Sequence, residues 1–166
     1  ANQSTSVDKR VAQVIFSGPV NLLHVKSGHY LYSDAVNTNI ISYPLLVDDR
    51  FVWYIYPSSG GYRIVNTRTN ARINDDNGVT TIPDNSHTHI LDNTIFKIVP
   101  WGENFRIVSL SKNKALYVHT DRTVRSYTDW DDPNFEFSIT PTGNNNICST
   151  VDINLTADPK QLDVTF

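Results

Sequence analysis

Apolar and polar residues alternate along this chain in short runs, separated by clusters of Asn, Asp, Ser and Gly. Three of the runs place an aromatic residue, Ile and Pro at alternate positions, in residues 53–57, 96–100 and 137–141. Alternation with a period of two is typical of a half-buried strand, and Pro ends a strand because it has no N–H for the ladder. The pattern therefore predicts many short β-strands, and no segment has a sustained helical period.

These landmarks recur at a nearly constant interval. The aromatic residues Trp53, Phe96 and Phe137 are separated by steps of 43 and 41 residues. A second landmark, an apolar-alternating segment, keeps the same step in residues 20–25, 62–67 and 105–110. A fixed period of about forty residues indicates repeated supersecondary units that bury their apolar faces against one another.

Length and composition place the repeats in one all-β domain. The chain has 166 residues, 11% of them aromatic, and is rich in the Val, Ile, Thr and Tyr that strands favour. We divide it into an N-terminal extension with one strand (1–19), a body of three repeats (20–61, 62–104 and 105–141) and a C-terminal tail (142–166). Alternation predicts terminal strands, which we expect to pair with one another, in residues 11–16, 148–155 and 162–166.

The opening of the first repeat carries a family resemblance. Residues 22–31 contain a strand, a Ser27-Gly28 turn and a strand with Tyr30-Leu31, in an order that resembles the ricin-B-like lectin family. The resemblance implies a β-trefoil, which is a six-stranded barrel capped by three hairpins, with Trp53, Phe96 and Phe137 in its core. Repeats of that family usually carry Gln two residues before the core aromatic. Here those positions hold Phe51, Thr94 and Phe135.

Charge and cysteine content narrow the range of partners and compartments. The formal charge is −3, without the basic surface expected of a duplex nucleic-acid binder. No apolar stretch approaches the roughly 20 residues that a membrane span requires. Cys148 is the single cysteine, so no intrachain disulfide can form. We expect a soluble protein that is either cytoplasmic or secreted without disulfides, and that does not bind nucleic acid.

No motif indicates catalysis, a metal or a cofactor. Asp75 and Asp76 lie in an Asn-rich turn that lacks the alternating oxygen ligands and final Glu of a calcium loop. His87 and His89 have no cysteine or third histidine near them in the sequence, which disfavours a zinc site. Phosphate-binding Gly loops and nucleophile elbows are absent from the sequence. We therefore expect a protein that is not an enzyme and needs no cofactor.

Candidate glycan-binding residues fall in two repeats. A sugar site needs a carboxylate or amide for the hydroxyl groups and an aromatic face for the C–H side of the ring. The third repeat supplies both, in Asp121, Arg125, Tyr127, Asp129 and Trp130. The alternative for Trp130 is a loop packed on the end of the barrel. The first repeat supplies a weaker set, in Asp34, Asn37 and Tyr43.

Three functions agree with these observations. The first is a carbohydrate-binding lectin whose partners are glycans or glycoproteins. Such a lectin could be a hemagglutinin that acts in defence or is associated with a toxin. The second is a protein-binding trefoil such as a mycocypin-like protease inhibitor. The third is a receptor-binding or interaction module, which could form a homodimer through its terminal strands.

Overall fold

The computed structural model describes residues 13–85, 92–142 and 151–153. In these residues the chain forms fourteen strands and three short 3-10 helices, with no α-helix. The strands are β1 (Gln13–Ile15), β2 (Val20–His24), β3 (His29–Tyr32), β4 (Ile41–Tyr43), β5 (Trp53–Ser58), β6 (Gly61–Asn66), β7 (Ala71–Asp75), β8 (Val79–Pro83), β9 (Phe96–Trp101), β10 (Asn104–Ser109), β11 (Ala115–Val118), β12 (Val124–Tyr127), β13 (Phe137–Pro141) and β14 (Val151–Ile153). The 3-10 helices are η1 (Asp49–Phe51), η2 (Asp92–Thr94) and η3 (Pro133–Phe135).

Six strands close into a barrel. Antiparallel pairing runs from β2 to β5, β6, β9, β10 and β13, and β13 pairs with β2 again. The remaining strands of the repeats form three hairpins, β3–β4, β7–β8 and β11–β12. This arrangement confirms the all-β architecture of three repeated units that the sequence predicts.

The three hairpins meet at a buried apolar contact. Ile40, Val79 and Val124 are each almost inaccessible to solvent. The N–H of Ile40 donates to the carbonyl of Val79 at 3.4 Å, and the N–H of Val124 donates to the carbonyl of Ile40 at 2.9 Å. The hairpins therefore form one cap, and their outer faces and the clefts between them are the surfaces open to ligands.

The barrel core contains the residues that the repeat pattern selects. Trp53, Phe96 and Phe137 are fully buried in one apolar cluster, together with Ile55, Ile98 and Ile139. The core prediction is therefore confirmed. The indole N–H of Trp53 donates to the carbonyl of Leu31 at 3.1 Å, so this large side chain also has its polar atom satisfied.

Each unit turns from its first to its second strand in the same way. The last residue of the first strand is His24, Asn66 or Ser109, and its side chain accepts the N–H three residues later. The carbonyls of the same three residues accept the N–H of Gly28, Asn70 and Asn113, respectively. Those three residues have positive φ, which Gly and Asn adopt more readily than other residues. One turn geometry is thus built from three different residues.

The termini are joined by a short antiparallel ladder. In β1 and β14, Gln13 pairs with Ile153 and Ile15 pairs with Val151. This confirms the expected pairing of the N-terminal strand with the first tail strand. The second tail strand, at residues 162–166, lies outside the described residues, as do His87, His89 and Cys148. The division into an extension, a three-repeat body and a tail stays a prediction.

The part of the chain that the structure describes contains no helix that is both long and apolar enough to cross a bilayer.

Replacing Trp53 with Ala should lower the free energy of unfolding by about 3–5 kcal/mol, because it empties the centre of the core and leaves the carbonyl of Leu31 unpaired. Chemical denaturation followed by fluorescence or circular dichroism would measure the loss. Tyr127→Ala is the control, since that ring is exposed, and it should stay within about 0.5 kcal/mol of the unchanged protein. Equal losses in the two variants would contradict this assignment of the core.

Candidate functional site

The outer face of the third hairpin brings together several of the predicted side chains. Tyr117 lies directly opposite Arg125, and Ala115 lies opposite Tyr127. Directly opposed residues share a face of the ladder, as do residues two apart on one strand. Tyr127 is 55% exposed, and its cross-strand partner Ala115 is too small to cover it. An accessible aromatic ring therefore lies next to a guanidinium group.

Asp121 supplies the carboxylate at the edge of this face. One oxygen accepts hydrogen bonds from the Thr123 hydroxyl at 2.6 Å and the Thr123 N–H at 3.0 Å. The other accepts from Arg125 Nη2 at 2.7 Å. The hydrogen bonds from Thr123, followed by those from Arg125, lower the pKa of Asp121 to about 2. The pair is half-exposed, so both groups are held in position while remaining accessible to a ligand.

Trp130 borders the same region but is half-buried. Its indole N–H donates to the carbonyl of Asn113 at 3.3 Å, and its ring meets the edge of Trp101 at 6.1 Å between centroids. It packs with Tyr117 on a small cluster that contains Ala115 and Phe135. Trp130 thus packs on the barrel, and its role in a sugar site stays a prediction. Asp129, the residue before it, is exposed.

We call Tyr117, Asp121, Arg125, Tyr127 and Trp130 the third-repeat face. Register places Tyr117, Arg125 and Tyr127 on one side of the hairpin, and Asp121 is bonded to Arg125. Trp130 and Tyr117 pack against the same apolar cluster. Tyr117 was not among the residues selected from the sequence. The register of the hairpin, which pairs it with Arg125, is the signal that would have identified it.

The first-repeat candidates are not gathered in the same way. Asp34 accepts from Arg50 Nη1 at 2.8 Å, and Arg50 also binds Asp48 at 2.8 Å. Asn37 has a positive φ and donates its N–H to the carbonyl of Thr81, which is a turn role. Tyr43 lies under the guanidinium of Arg122 from the third hairpin, at 5.5 Å from the ring centroid. Asp34 and Tyr43 therefore have different partners in different repeats.

The position two residues before the core aromatic holds a buried phenylalanine in two repeats. Phe51 is buried and stacks on Tyr32 at 4.7 Å between centroids, and Phe135 meets the edge of Tyr117 at 5.3 Å. Thr94 occupies this position in the second repeat and is also buried. The sequence identified the missing Gln but not the tyrosines that these phenylalanines support.

A cleft of about 570 Å³ extends from the third hairpin to the first turn of the chain. Tyr117, His119 and Arg122 line one part of it, and His24 and His29 line another. His24 Nε2 lies 2.6 Å from the carbonyl of Asn134, which can only accept, so Nε2 carries the proton. Nδ1 then accepts from the Ser27 N–H. Burial lowers the pKa of His24, so this imidazole is neutral near pH 7.

Metal binding has no support in the described part of the chain, where no three His, Cys, Asp or Glu side chains are grouped closely enough to hold an ion.

Solved structures resemble this chain over about three quarters of its length. The designed 3-fold symmetric protein ThreeFoil has a TM-score of 0.65 and 20% identity, over 74% of this chain and 98% of its own. The BEL beta-trefoil has a TM-score of 0.63 and 17% identity, over 75% and 92%. SeviL, solved with asialo-GM1 saccharide bound, has a TM-score of 0.62 and 10% identity, over 76% and 98%.

The chain is a β-trefoil. The similarity to these proteins, together with the closed barrel and three hairpins, confirms the fold implied by the resemblance to ricin-B-like lectins. No protein-family model matches the sequence, and no curated protein matches it. Because the identities do not exceed about one fifth, the trefoil neighbours establish the fold alone.

The neutral His24 makes the stability of the trefoil depend on pH. Because the folded-state pKa is lowered, the unfolded chain takes up the proton first, and stability is lost as pH falls below about 6.5. Asn66 makes the equivalent hydrogen bonds in the second repeat, so the His24→Asn variant keeps the turn and lacks the titrating imidazole. We expect that variant to lose less stability than the unchanged trefoil between about pH 7 and about pH 5.

Urea denaturation at the two pH values measures this difference. His119→Asn is the control, since it removes another imidazole of the same cleft and should leave the His24 contribution in place. An unchanged pH dependence in the His24→Asn variant would contradict the assignment.

Proposed function

We propose that this trefoil binds glycans on the third-repeat face, without catalysis. The observation that carries the proposal is the exposed ring of Tyr127 beside the Asp121–Arg125 pair. Sugar rings present hydroxyl groups at the edge and an apolar C–H surface on each side, so they need such a combination. The saccharide bound to the trefoil neighbour SeviL is consistent with the proposal.

The Asp121–Arg125 pair is suited to hydroxyl recognition. Oδ1 of Asp121 accepts two hydrogen bonds from Thr123, whereas Oδ2 accepts one from Arg125 and keeps a lone pair, and the charge persists down to a pH of about 2. The guanidinium has donors beyond those used by Asp121 and Thr123. A hydroxyl group could therefore donate to Asp121 and accept from Arg125 at the same time. The pair is already formed, so little side-chain ordering remains to oppose binding.

We expect one such face per chain rather than three. In the first repeat Arg50 engages Asp34 and lies over the ring of Tyr32 at 5.3 Å. The second repeat has Asn74 where the others have tyrosine. A single shallow face gives weak binding, and strong binding then requires linked copies. The proposed roles in agglutination, defence or toxin delivery therefore depend on self-association, for which the terminal strands are the proposed contact.

Tyr127→Ala should weaken glycan binding at least tenfold, because it removes the exposed aromatic face. We would measure it on a glycan array with labelled protein, followed by calorimetry on the best ligand. Tyr56→Ala is the matched control, since Tyr56 is an exposed tyrosine on β5. Arg125→Ala should weaken binding as well, whereas Trp130→Ala should reduce both binding and stability because that ring is half-buried.

Equal binding by the Tyr127→Ala and Tyr56→Ala variants would exclude the third-repeat face. A folded, unchanged protein that binds nothing on a broad array would contradict glycan binding itself.

A protease-inhibitor function is the second candidate, and one loop favours it. Leu45, Leu46 and Val47 are consecutive and 62%, 46% and 57% exposed. Exposed aliphatic side chains in sequence are uncommon on a soluble domain and mark contact sites. Asp48 ends the loop and is fixed by hydrogen bonds from the N–H and Nε of Arg50. A loop with an anchored end and apolar side chains could enter the cleft of a protease, as the mycocypin-like interpretation requires.

The inhibitor hypothesis predicts tight, stoichiometric inhibition of at least one enzyme in a panel of cysteine and serine proteases. Leu46→Asp should abolish that inhibition, because a charge would replace the apolar contact. Leu110→Asp is the control, since Leu110 is similarly exposed elsewhere. Inhibition that survives Leu46→Asp would show that the loop is not the contact, and a panel without inhibition would remove this candidate.

A further inference from the structure

A second cleft, of about 600 Å³, lies between the second and third hairpins. The second hairpin contributes Asp75 and Asn77, the third contributes Ser126, and the turn between β10 and β11 contributes Lys112 and Lys114. Almost all of the lining side chains are polar, and none is aromatic. This surface is therefore unlike the third-repeat face, although the Asp121–Arg125 pair borders both.

Asp75 is the unusual group in this cleft. Its side chain is buried, with 2% of the residue exposed. Oδ1 accepts from the hydroxyl of Ser126 at 3.0 Å, whereas Oδ2 is buried and has no hydrogen-bond partner within the described residues. A buried polar atom that lacks a partner costs free energy, and it needs a donor from a water molecule or a ligand. Asp75 lines the cleft, and its buried Oδ2 needs a donor that the described residues do not supply.

Positive charge faces the same space. Lys112 and Lys114 are both close enough to Asp75 to favour its ionised form, against a burial effect that raises the pKa of Asp75. Lys112 Nζ lies 3.9 Å from Asp76 Oδ1, which is the limit of an ion pair. Lys114 forms no ion pair with any residue that the structure describes. Arg125 is paired with Asp121 and Lys112 with Asp76, so Lys114 is the cationic group that these ion pairs leave over in the cleft.

We propose that this cleft binds a small hydroxylated anion, of the class of monosaccharides that carry a carboxylate. A ligand hydroxyl donates to Asp75 Oδ2 and supplies its missing partner. The ligand carboxylate lies at Lys114 and Lys112, away from Asp75, so that each charge meets its opposite. The amide of Asn77 lines the same cleft and is placed for a remaining hydroxyl group. The inference is independent of glycan binding by the third-repeat face.

The test is a titration of isotope-labelled trefoil with glucuronate, with glucose and acetate as separate probes. Glucuronate should shift the resonances of the backbone amides of Asn77, Gly78 and Ser126. Glucose lacks the carboxylate and acetate lacks the hydroxyl groups, so each should bind at least about tenfold more weakly. Glucose binding as tightly as glucuronate would overturn the role of the lysines. Acetate binding as tightly would overturn the role of Asp75, and no shift with glucuronate would overturn the site.

Matched variants separate the two contacts. Asp75→Asn can still accept from Ser126 but offers an N–H₂ in place of Oδ2, and it should weaken glucuronate binding about tenfold. Lys114→Gln should do the same by removing the free charge. Asp76→Asn and Lys97→Gln are the controls, and neither should weaken binding. Full affinity in the Asp75→Asn or Lys114→Gln variant would contradict the proposal.

Folding and the third-repeat face are checked in the same samples. Burial raises the pKa of Asp75, so the ionised group lowers stability as pH rises through that pKa, and Asp75→Asn should be at least as stable as the unchanged trefoil at neutral pH. Tyr127→Ala should keep glucuronate binding in the cleft. Loss of glycan binding by the Tyr127→Ala variant on the array would therefore not contradict the cleft proposal. Absence of glucuronate binding would contradict the cleft proposal but not glycan binding by the third-repeat face.

Discussion

Closure of the barrel depends on pairing between units, because the first and last strands of one unit hardly pair with each other. The first and last strands of a unit meet at a single register pair, which is Val20–Trp53 in the first, Tyr62–Phe96 in the second and Phe105–Phe137 in the third. Long ladders instead join consecutive units, between β5 and β6, β9 and β10, and β13 and β2. A core aromatic residue takes part in each of these single register pairs. One isolated unit would expose both its apolar face and its strand edges, so three must fold together.

The equivalence of the three units resides in hydrogen bonds more than in residue identity. An imidazole, an amide and a hydroxyl each accept the N–H three residues later, at His24, Asn66 and Ser109. His24 and Asn66 also reach a backbone carbonyl of the neighbouring 3-10 helix, at Asn134 and Arg50. Many residue types satisfy such a geometric requirement. This explains how a sequence that matches no family model can retain a fold shared with proteins of 10% to 20% identity.

The sequence was sufficient for the fold because the fold depends on periodic features. Core aromatics, Pro at strand ends and turn residues recur in phase, and each has a local physical cause. The candidate sites depend on pairings that no local pattern records. The bond from Ser126 to Asp75 and the stacking of Arg122 on Tyr43 both join different repeats. Asp34 could be identified as an acidic residue, but its neutralisation by Arg50 follows from the position of η1.

The first and third units share a packing feature but differ in surface chemistry. Phe51 and Phe135 fill the position where ricin-B-like lectin repeats usually hold Gln, and each supports a tyrosine from the neighbouring hairpin. A polar floor is thereby replaced by an apolar one, so the proposed glycan site recognises hydroxyl groups from the rim of the hairpin. In the first unit Arg50 binds Asp34 and covers Tyr32. In the third unit Asn134 occupies the position of Arg50, and Arg125 pairs with Asp121 at the rim instead. The exchange of Arg for Asn at one position of a 3-10 helix therefore separates a surface whose tyrosine lies under a guanidinium from one that keeps an exposed tyrosine ring.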